Sequence, residues 1–211
     1  MSLESIFIIP ARKGSKGFPH KNRVLFDFTA RSLASLPPQS IIVSTDDPVI
    51  KTKALEFGFY VHDRSEKNSD DFASVKQVIV EVVEDFDLDK KLIHVLYLTY
   101  PERNLNDIEK ARLFLENNGA TSLLCRKKTN SHPYLCFESL PNHKAKPVIE
   151  HTLYRRQDYP ECFEVSHFIS IFSTEELNKL SDQLYNENTI FYSIEDKIDV
   201  DHEEDFLKYG S

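Results

Sequence analysis

The sequence predicts an α/β fold built around a mostly parallel sheet. Short apolar runs alternate with segments in which apolar residues recur every three or four positions, the pattern of strands joined by crossover helices. The chain has 211 residues, a length that suits one domain, residues 1–211, with a sizeable core. Its composition, 40% hydrophobic and 28% charged, is that of a globular protein and excludes general disorder.

The apolar runs predict the strands of this sheet. They lie at residues 6–9, 40–44, 59–61, 92–98, 120–126, 168–172 and 189–193. Short runs with little polar interruption are typical of strands that are buried on both faces. We therefore expect helices to cover both sides of the sheet.

Capping residues and helical periodicity place the first helices. One of Asp46 and Asp47 is expected to cap a helix that begins at Pro48 and ends at Gly58. The other aspartate is then free to face the carboxyl edge of the sheet. Residues 73–86 carry their apolar side chains on one helix face, which makes this the best-marked helix.

Further helices are predicted in the second half. Asn106 and Glu109 have the spacing of a capping box, and the helix that they open should stop at residues 118–119. Ser173, with Glu176 three residues later, is expected to open another helix, and a short last helix holds residues 206–207. Between them, residues 127–160 lose the regular pattern and are interpreted as an inserted arm.

Charge and cysteine content exclude several classes of function. The net charge is −8, with 34 acidic and 26 basic side chains, so nucleic acid is not an expected partner. Charged residues interrupt every apolar run, and we expect neither a membrane span nor a secretion signal. Cys125, Cys136 and Cys162 form an odd set without CxxC spacing, which favours a reducing cytoplasm over a disulfide framework.

A basic loop directly follows the first predicted strand. It contains Arg12, Lys16 and Lys21 together with Gly14 and Gly17. Glycines let backbone N–H groups approach a ligand, and the cations can neutralise several phosphate oxygens. Ligands of open α/β sheets bind beyond the carboxyl ends of strands, so we expect a polyphosphate here. The alternative is a solvated basic loop.

Two aspartates near the end of the chain form a candidate metal site. In residues 198–201, strand alternation would put the carboxylates of Asp199 and Asp201 on one face. Two carboxylates suit Mg²⁺, which takes its remaining ligands from water and phosphate. The alternative is that Asp201 only caps a helix beginning near His202, with Glu204 at its third position.

Several segments carry a resemblance to a known family. They are IIPARKGSKGFPHKN (residues 8–22), IIVSTDD (41–47), RSE (64–66), DFAS (71–74), RRQDYP (155–160) and IDVD (198–201). In this order they resemble the motifs of the acylneuraminate cytidylyltransferases, or CMP-sialic acid synthetases. The resemblance implies a Rossmann-like sheet of the nucleotide-diphosphosugar transferase type. It also implies cytidylyl transfer from CTP to a 2-keto-3-deoxy sugar acid, Mg²⁺ as cofactor and a homodimer formed through the arm.

The resemblance assigns roles on the nucleotide side. The residues that it implies for nucleotide binding are Ala11, Arg12, Gly14, Ser15, Lys16, Lys21, Asn22, Arg64 and Ser74. The expected catalytic residues are Arg12, Lys16, Lys21, Asp199 and Asp201, the two aspartates as ligands of Mg²⁺. Arg64 is placed near the cytosine, with a surface ion pair to Glu66 as its alternative, and Ser74 alternatively caps its helix.

On the sugar side the sequence departs from the family. The residues implied for substrate binding are Tyr97, Thr99, Arg156, Gln157 and His167. Residues 96–103 read LYLTYPER where the family reads LQPTSPLR, and His167 replaces a small glycine. We therefore expect an altered nonulosonic acid as substrate. Arg103 matches a family arginine, and helix capping or simple exposure explains it equally well. Arm-to-arm pairing in a dimer is the alternative for Arg156.

Two other functions stay open at this point. A cytidylyltransferase for the eight-carbon acid KDO would share the fold and the chemistry implied by the resemblance. A non-catalytic nucleotide- or sugar-binding homologue would keep the basic loop without turnover. The survival of both aspartates and of the loop cations favours an enzyme.

Overall fold

The computed structural model describes residues 3–14, 17–70, 73–195 and 197–209. Within these ranges the strands are β1 (Glu4–Pro10), β2 (Ile41–Thr45), β3 (Tyr60–Asp63), β4 (Lys91–Val95), β5 (Ser122–Lys128), β6 (Phe137–Leu140), β7 (Lys144–Pro147), β8 (Phe163–Ser173) and β9 (Ile190–Ser193). The helices are α1 (Lys21–Ser32), α2 (Pro48–Glu56), α3 (Glu66–Ser69), α4 (Val75–Asp85), α5 (Leu105–Asn117) and α6 (Glu203–Tyr209). Every strand predicted from the apolar runs has a counterpart among them.

The described chain forms a seven-stranded sheet in the order β3-β2-β1-β4-β8-β5-β9. β1 pairs in parallel with β2 and β4, and β8 runs antiparallel between β4 and β5. The predicted mostly parallel α/β sheet is therefore confirmed. Because β1 to β4 are parallel, the loops that follow them meet at one edge, where ligands of such sheets bind.

The core occupies both faces of the sheet. Along β1, Phe7 and Ile9 belong to one buried cluster, and Ile6 and Ile8 belong to the other. This alternation follows from the two-residue period of a strand, and both faces are apolar because helices cover both. The sheet therefore gives the loops at its carboxyl edge a rigid base.

Side-chain caps fix the starts of the helices. Asp47 caps α2 by accepting a hydrogen bond from the Val49 N–H, as one of the predicted alternatives required. The predicted start of α5 is wrong, because the capping box is Asn104 with Asp107 and not Asn106 with Glu109. Both pairs have the same three-residue spacing, so the spacing alone does not select between them.

Two more predictions need correction. The segment after Ser173 is a 3₁₀ helix, Thr174–Lys179, and the Ser173 side chain makes no capping bond. Glu176 is buried there, where it accepts hydrogen bonds from Asn186 and Thr121. The predicted strand at residues 92–98 ends earlier, at Val95, so the residues after it form a loop at the carboxyl edge.

The predicted arm, residues 127–160, contains an exposed antiparallel hairpin of β6 and β7. Large apolar side chains of the arm are exposed to solvent, including Phe137, Val148 and Tyr154. Its role in dimerisation stays a prediction. Over the described ranges, no helix combines the length and the apolar character that crossing a membrane requires.

Candidate functional site

A cavity of about 270 Å³ opens at the carboxyl edge of the sheet. The loops that follow β1, β3 and β4 contribute to its wall, together with the starts of α1 and α4. The predicted site residues among its lining are Arg12, Gly14, Lys21, Asn22, Arg64, Tyr97 and Thr99. The structure thus brings the basic loop, the predicted cytosine contact and two predicted sugar contacts to one cavity.

Hydrogen bonds hold the basic loop against the end of β2. The Ala11 N–H donates to the Ser44 carbonyl at 2.9 Å, and the Thr45 hydroxyl donates to the Ala11 carbonyl at 2.6 Å. The Lys13 N–H donates to Asp46 Oδ1 at 2.5 Å. Ala11 is fully buried and does not line the cavity, although Pro10 and Arg12 on either side of it do. Asp46 is therefore a loop anchor.

Asn22 and the loop glycines complete this support. The Asn22 side-chain amide donates to the Arg12 carbonyl at 2.9 Å, so it fastens the loop as well as lining the cavity. Gly14 has φ +86°, a conformation that glycine adopts without strain. A Cβ on Gly17 would lie 3.0 Å from the Asp201 carbonyl oxygen, so loop and acidic segment are packed together here. The predicted ligands Ser15 and Lys16 lie outside the described residues.

The acidic segment lies beside this loop. The strand predicted for residues 198–201 is wrong, since the segment has no ladder partner and is held by the Val200 N–H, which donates to the Thr99 carbonyl at 2.8 Å. Val200 is fully buried whereas Asp199 and Asp201 are exposed, so the predicted alternation of side chains holds. Lys21 Nζ lies 2.8 Å from Asp201 Oδ1.

The alternative in which Asp201 caps the last helix, with Glu204 at its third position, is wrong. Asp205, and not Glu204, accepts hydrogen bonds from the backbone N–H groups of Asp201 and His202, at 3.3 and 3.0 Å. Asp205 thereby satisfies the start of α6, and the Asp201 carboxylate pairs with Lys21 instead. The Asp201 side chain is 65% exposed and remains accessible to a ligand.

Tyr100 is a site residue that the sequence analysis missed. Its hydroxyl donates to Asp199 Oδ2 at 2.8 Å and lies 3.3 Å from Ser166 Oγ. Burial, followed by the charge of Asp199, raises the pKa of the Tyr100 phenol well above its usual value. The phenol is therefore a permanent donor that fixes the Asp199 carboxylate. The available signal was a tyrosine next to Thr99 in the segment of residues 96–103, which the sequence analysis treated only as a departure from the family.

Arg64 binds the end of β2 and points its guanidinium at the cavity wall. Its Nη2 donates to the Ser44 carbonyl at 3.2 Å, and its Nε donates to Ser44 Oγ at 3.4 Å, in place of an ion pair with Glu66. Burial lowers the pKa of Arg64 to about 10, although Asp46 opposes this shift. The side chain therefore still carries a positive charge near neutral pH.

Ser74 takes the role of helix cap. Its hydroxyl accepts the Gln77 N–H within a capping box and donates to Asp182 Oδ1 at 2.8 Å. Its neighbours Ala73 and Val75 are the residues of this turn that line the cavity. A direct contact between Ser74 and a nucleotide stays a prediction.

The sugar-side residues divide into two groups. Tyr97 lines the cavity and packs on His167, with ring centroids 5.2 Å apart. Burial raises the pKa of Tyr97 and lowers that of His167, so both rings are neutral near pH 7. Arg156 and Gln157 lie in the arm instead, and Arg156 lines a separate cavity beside Tyr159. The structure does not bring these two residues into the cavity that Tyr97 lines.

Arg103 neither caps a helix nor lies on the surface, so both of these alternatives are wrong. It is only 2% exposed, and it donates to the carbonyls of Tyr97 at 2.8 Å and of Phe168 at 2.7 Å. Burial lowers its pKa to about 10. Because one guanidinium bonds both carbonyls, Arg103 ties the loop after β4 to strand β8 and fixes the backbone that carries Tyr97 and Thr99.

The donor set fits a hard cation that keeps much of its own coordination shell. Neither Asp199 nor Asp201 lines the cavity, but Asp201 pairs with Lys21, which does. No group of three or more His, Cys, Asp or Glu that could hold a metal occurs in the described part of the chain. Mg²⁺ is commonly bound by one or two carboxylates together with water and phosphate oxygens. Two aspartates beside a cation-rich loop fit such a site, and Mg²⁺ binding by them stays a prediction.

Sequence comparisons agree on one family. Residues 6–197 match the model of a family described as cytidylyltransferase. The chain is 27% identical to N-acylneuraminate cytidylyltransferase of Streptococcus agalactiae serotype V, over 97% of this chain and 52% of that protein. It is 32% identical to pseudaminic acid cytidylyltransferase of Campylobacter jejuni, over 54% of this chain and 55% of that protein. The chain spans about half the length of these curated relatives.

Solved structures share the fold. A CMP:2-keto-3-deoxy-manno-octonic acid synthetase complexed with CTP superposes with a TM-score of 0.70 at 15% identity, covering 98% of this chain and 96% of that one. A 4-diphosphocytidyl-2C-methyl-D-erythritol synthase from Anaerococcus prevotii gives 0.61 at 14% identity, again over 98% and 96%. At these identities the likeness is one of fold alone. It confirms the predicted nucleotidyltransferase type of sheet.

Proposed function

Because the chain belongs to the cytidylyltransferase family, we propose that it transfers the cytidylyl group of CTP to a 2-keto-3-deoxy sugar acid and releases pyrophosphate. The observation that carries this proposal is the junction of the basic loop and the acidic segment beside the cavity that Lys21 lines. Lys21 pairs with Asp201, and Gly17 packs against the Asp201 carbonyl oxygen and the His202 ring. A triphosphate and its cation need these two elements side by side.

The cavity spans the distance between a base and a sugar. Arg64 follows the edge strand β3, whereas Tyr97 and Thr99 follow β4, three strands across the sheet. With neighbouring strands about 4.8 Å apart, these ends are separated by about 14 Å. We assign the cytosine to the Arg64 end, the triphosphate to the loop between, and the sugar acid to the Tyr97 end.

The proposed reaction is an in-line displacement. A hydroxyl oxygen of the sugar acid attacks the α-phosphorus of CTP, its proton leaves to solvent, and the bond to the pyrophosphate oxygen breaks. Arg12 and Lys21 place positive charge where negative charge develops on the leaving group. Asp199 and Asp201 are proposed to hold Mg²⁺, which when bound supplies further neutralisation of the phosphate oxygens. Tyr100 keeps Asp199 oriented for that task.

A nonulosonic acid is the proposed class of acceptor. Relatives named for N-acylneuraminate and pseudaminic acid support nine-carbon acids. Tyr97 lines the cavity and His167 packs against its ring, and this neutral aromatic surface suits acyl or deoxy substituents better than additional hydroxyl groups. KDO remains the alternative acceptor.

A homodimer in the cytoplasm completes the proposal. Phe137 and Tyr154 on the arm are 66% and 95% exposed, and apolar surface of this kind favours burial against a second copy. Arg156 and Gln157 lie on the same arm, so a sugar contact from them depends on how that copy is seated. Free thiols at Cys125, Cys136 and Cys162 are consistent with a reducing compartment.

A substrate panel tests the function. The protein is incubated with CTP and Mg²⁺ and with N-acylneuraminic acid, a bis-N-acylated deoxy nonulosonic acid or KDO, and products are followed by pyrophosphate release and mass spectrometry. We expect a CMP-linked nine-carbon acid, formed at least about tenfold more efficiently than CMP-KDO. Preference for KDO would support the alternative acceptor. Stabilisation by CTP without any product would identify a non-catalytic homologue.

Replacing Gly17 with alanine tests the contact between loop and acidic segment. The new Cβ would lie 2.9 Å from His202 Nδ1 and 3.0 Å from the Asp201 carbonyl oxygen, so the His202 ring must move and the Asp201 backbone must shift by a few tenths of an ångström. We expect pyrophosphate release to fall about tenfold, because a small displacement of reacting groups has a large effect on rate. Gly119→Ala is the control: it strains a φ of +60° far along the chain and should lower stability without affecting turnover. Equal turnover in Gly17→Ala and wild type would argue against this coupling.

A further inference from the structure

A line of polar side chains runs from helix α4 through the sheet to the cavity. His62 on β3 is the ladder neighbour of Ser44 on β2, and both are buried. His62 Nδ1 lies 3.0 Å from Ser44 Oγ, and His62 Nε2 lies 3.1 Å from Asp85 Oδ2. Serine, histidine and aspartate in this order can activate a nucleophile. Ser44 is fully buried, however, so no substrate reaches its hydroxyl.

The hydroxyl of Ser44 has a second neighbour, Arg64. Arginine carries only donors, so Ser44 Oγ must accept from Arg64 Nε, which lies 3.4 Å away. The Ser44 O–H can then donate to His62 Nδ1, and His62 keeps its proton on Nε2. That proton faces Asp85 at 3.1 Å and Glu81 at 4.0 Å. One arrangement of hydrogen atoms therefore gives every donor from Arg64 to His62 an acceptor.

We propose that His62 is a positioning residue for nucleotide binding, and that it acts through Ser44 to hold the Arg64 guanidinium in place at the cavity. The proposal rests on the proposed function, in which Arg64 meets the nucleotide. A long side chain that is already held in one rotamer loses less freedom when the ligand binds. The two bonds from Arg64 to Ser44, through its hydroxyl and its carbonyl, provide that restraint.

The place of Arg64 determines which kinetic constant responds. Arg64 lies at the β3 end of the cavity, whereas the acidic segment is bonded to Thr99 beyond β4. A contact that is equally strong before and during the reaction changes KM and leaves kcat unchanged. Loss of the restraint should therefore weaken CTP binding without slowing the chemical step.

Two substitutions of His62 test its two ring nitrogens separately. In His62→Asn the side-chain amide ends near the position of Nδ1, next to Ser44, whereas in His62→Gln it ends near Nε2, next to Asp85. We expect His62→Gln to raise the KM for CTP about five- to tenfold, the scale of one lost hydrogen bond, with kcat unchanged. His62→Asn should stay within about twofold of wild type. Ser44→Ala, which removes the link itself, should match His62→Gln.

The decisive test is whether His62→Gln still raises the KM for CTP when Arg64 has been replaced. In an Arg64→Ala background, His62→Gln should raise the KM for CTP no further, because the guanidinium that His62 positions through Ser44 is absent. A purely structural histidine would give the same change in both backgrounds. Asp63→Asn, which alters an exposed neighbour on the same strand, is the matched control and should leave KM unchanged. Melting temperatures and circular dichroism confirm that each variant is folded.

Three results would overturn the proposal: additive effects of His62→Gln and Arg64→Ala, an unchanged KM in both His62→Gln and Ser44→Ala, or a His62→Asn variant as weak as His62→Gln. The same series measured as Kd for CTP by calorimetry separates this proposal from the transfer reaction. If wild type binds CTP but forms no product, the proposed function fails, and the Kd values of the variants for CTP still test the role of His62. If wild type does not bind CTP, both are rejected.

Discussion

Replacing Asp201 with asparagine is expected to lower CTP-dependent pyrophosphate release by about 10²- to 10³-fold, the scale for loss of one electrostatic contact at a reacting centre. The change removes one negative charge and preserves the size of the side chain. Asp201 is 65% exposed, and the start of α6 is satisfied by Asp205, so the fold should persist. The loss therefore reports on chemistry and not on stability.

Binding measurements make this prediction more specific. In the structure Asp201 pairs with Lys21, and the substitution releases that lysine for a phosphate group. We therefore expect CTP affinity without metal to be unchanged or slightly stronger, while the affinity for Mn²⁺, used as a spectroscopic substitute for Mg²⁺, falls. Glu204→Gln is the control, because it also removes one negative charge, from an exposed side chain three residues later, and it should behave as wild type. A wild-type rate in Asp201→Asn would remove this carboxylate from the mechanism.

The parts of this site that the sequence could predict are those encoded within a few residues. The basic loop combines Gly14 with closely spaced cations directly after a strand, and the position of that strand in an α/β sheet places the loop at the ligand-binding edge. The cap at Asp47 is likewise local, because it depends only on the aspartate and on Pro48 after it. Patterns of this kind do not need the rest of the chain.

Contacts between distant segments could not be predicted in this way. Tyr100 and Asp199 are 99 positions apart, and their hydrogen bond exists only because the acidic segment packs on the loop after β4. Arg103 resembled a surface residue because nothing local shows that two carbonyls will face it in the core. The start of α5 shows the same limit at short range, since Asn104 and Asn106 both fit the capping pattern.

Lys21→Met is expected to raise the KM for CTP about 10- to 100-fold, the range for loss of a charge-assisted contact to phosphate. Methionine keeps the length of the side chain and removes only its charge. Lys21 is well placed for this role because it lines the cavity, its side chain is 12% exposed, and its Nζ lies 2.8 Å from Asp201. Poor access to water makes its charge less screened than that of a surface lysine.

Ionic strength distinguishes this charge from a merely structural lysine. Wild-type KM should rise as salt is increased, because added ions screen the attraction between the loop and the triphosphate, and the slope should be smaller in Lys21→Met. Lys51→Met makes the same change of net charge at an exposed pair with Asp63, and it should preserve both KM and slope. Lys21→Arg should recover part of the affinity. If Lys21→Met and Lys51→Met are indistinguishable, the positive charge at Lys21 does not hold the nucleotide, and the loop's role in binding falls to Arg12 and the residues around it.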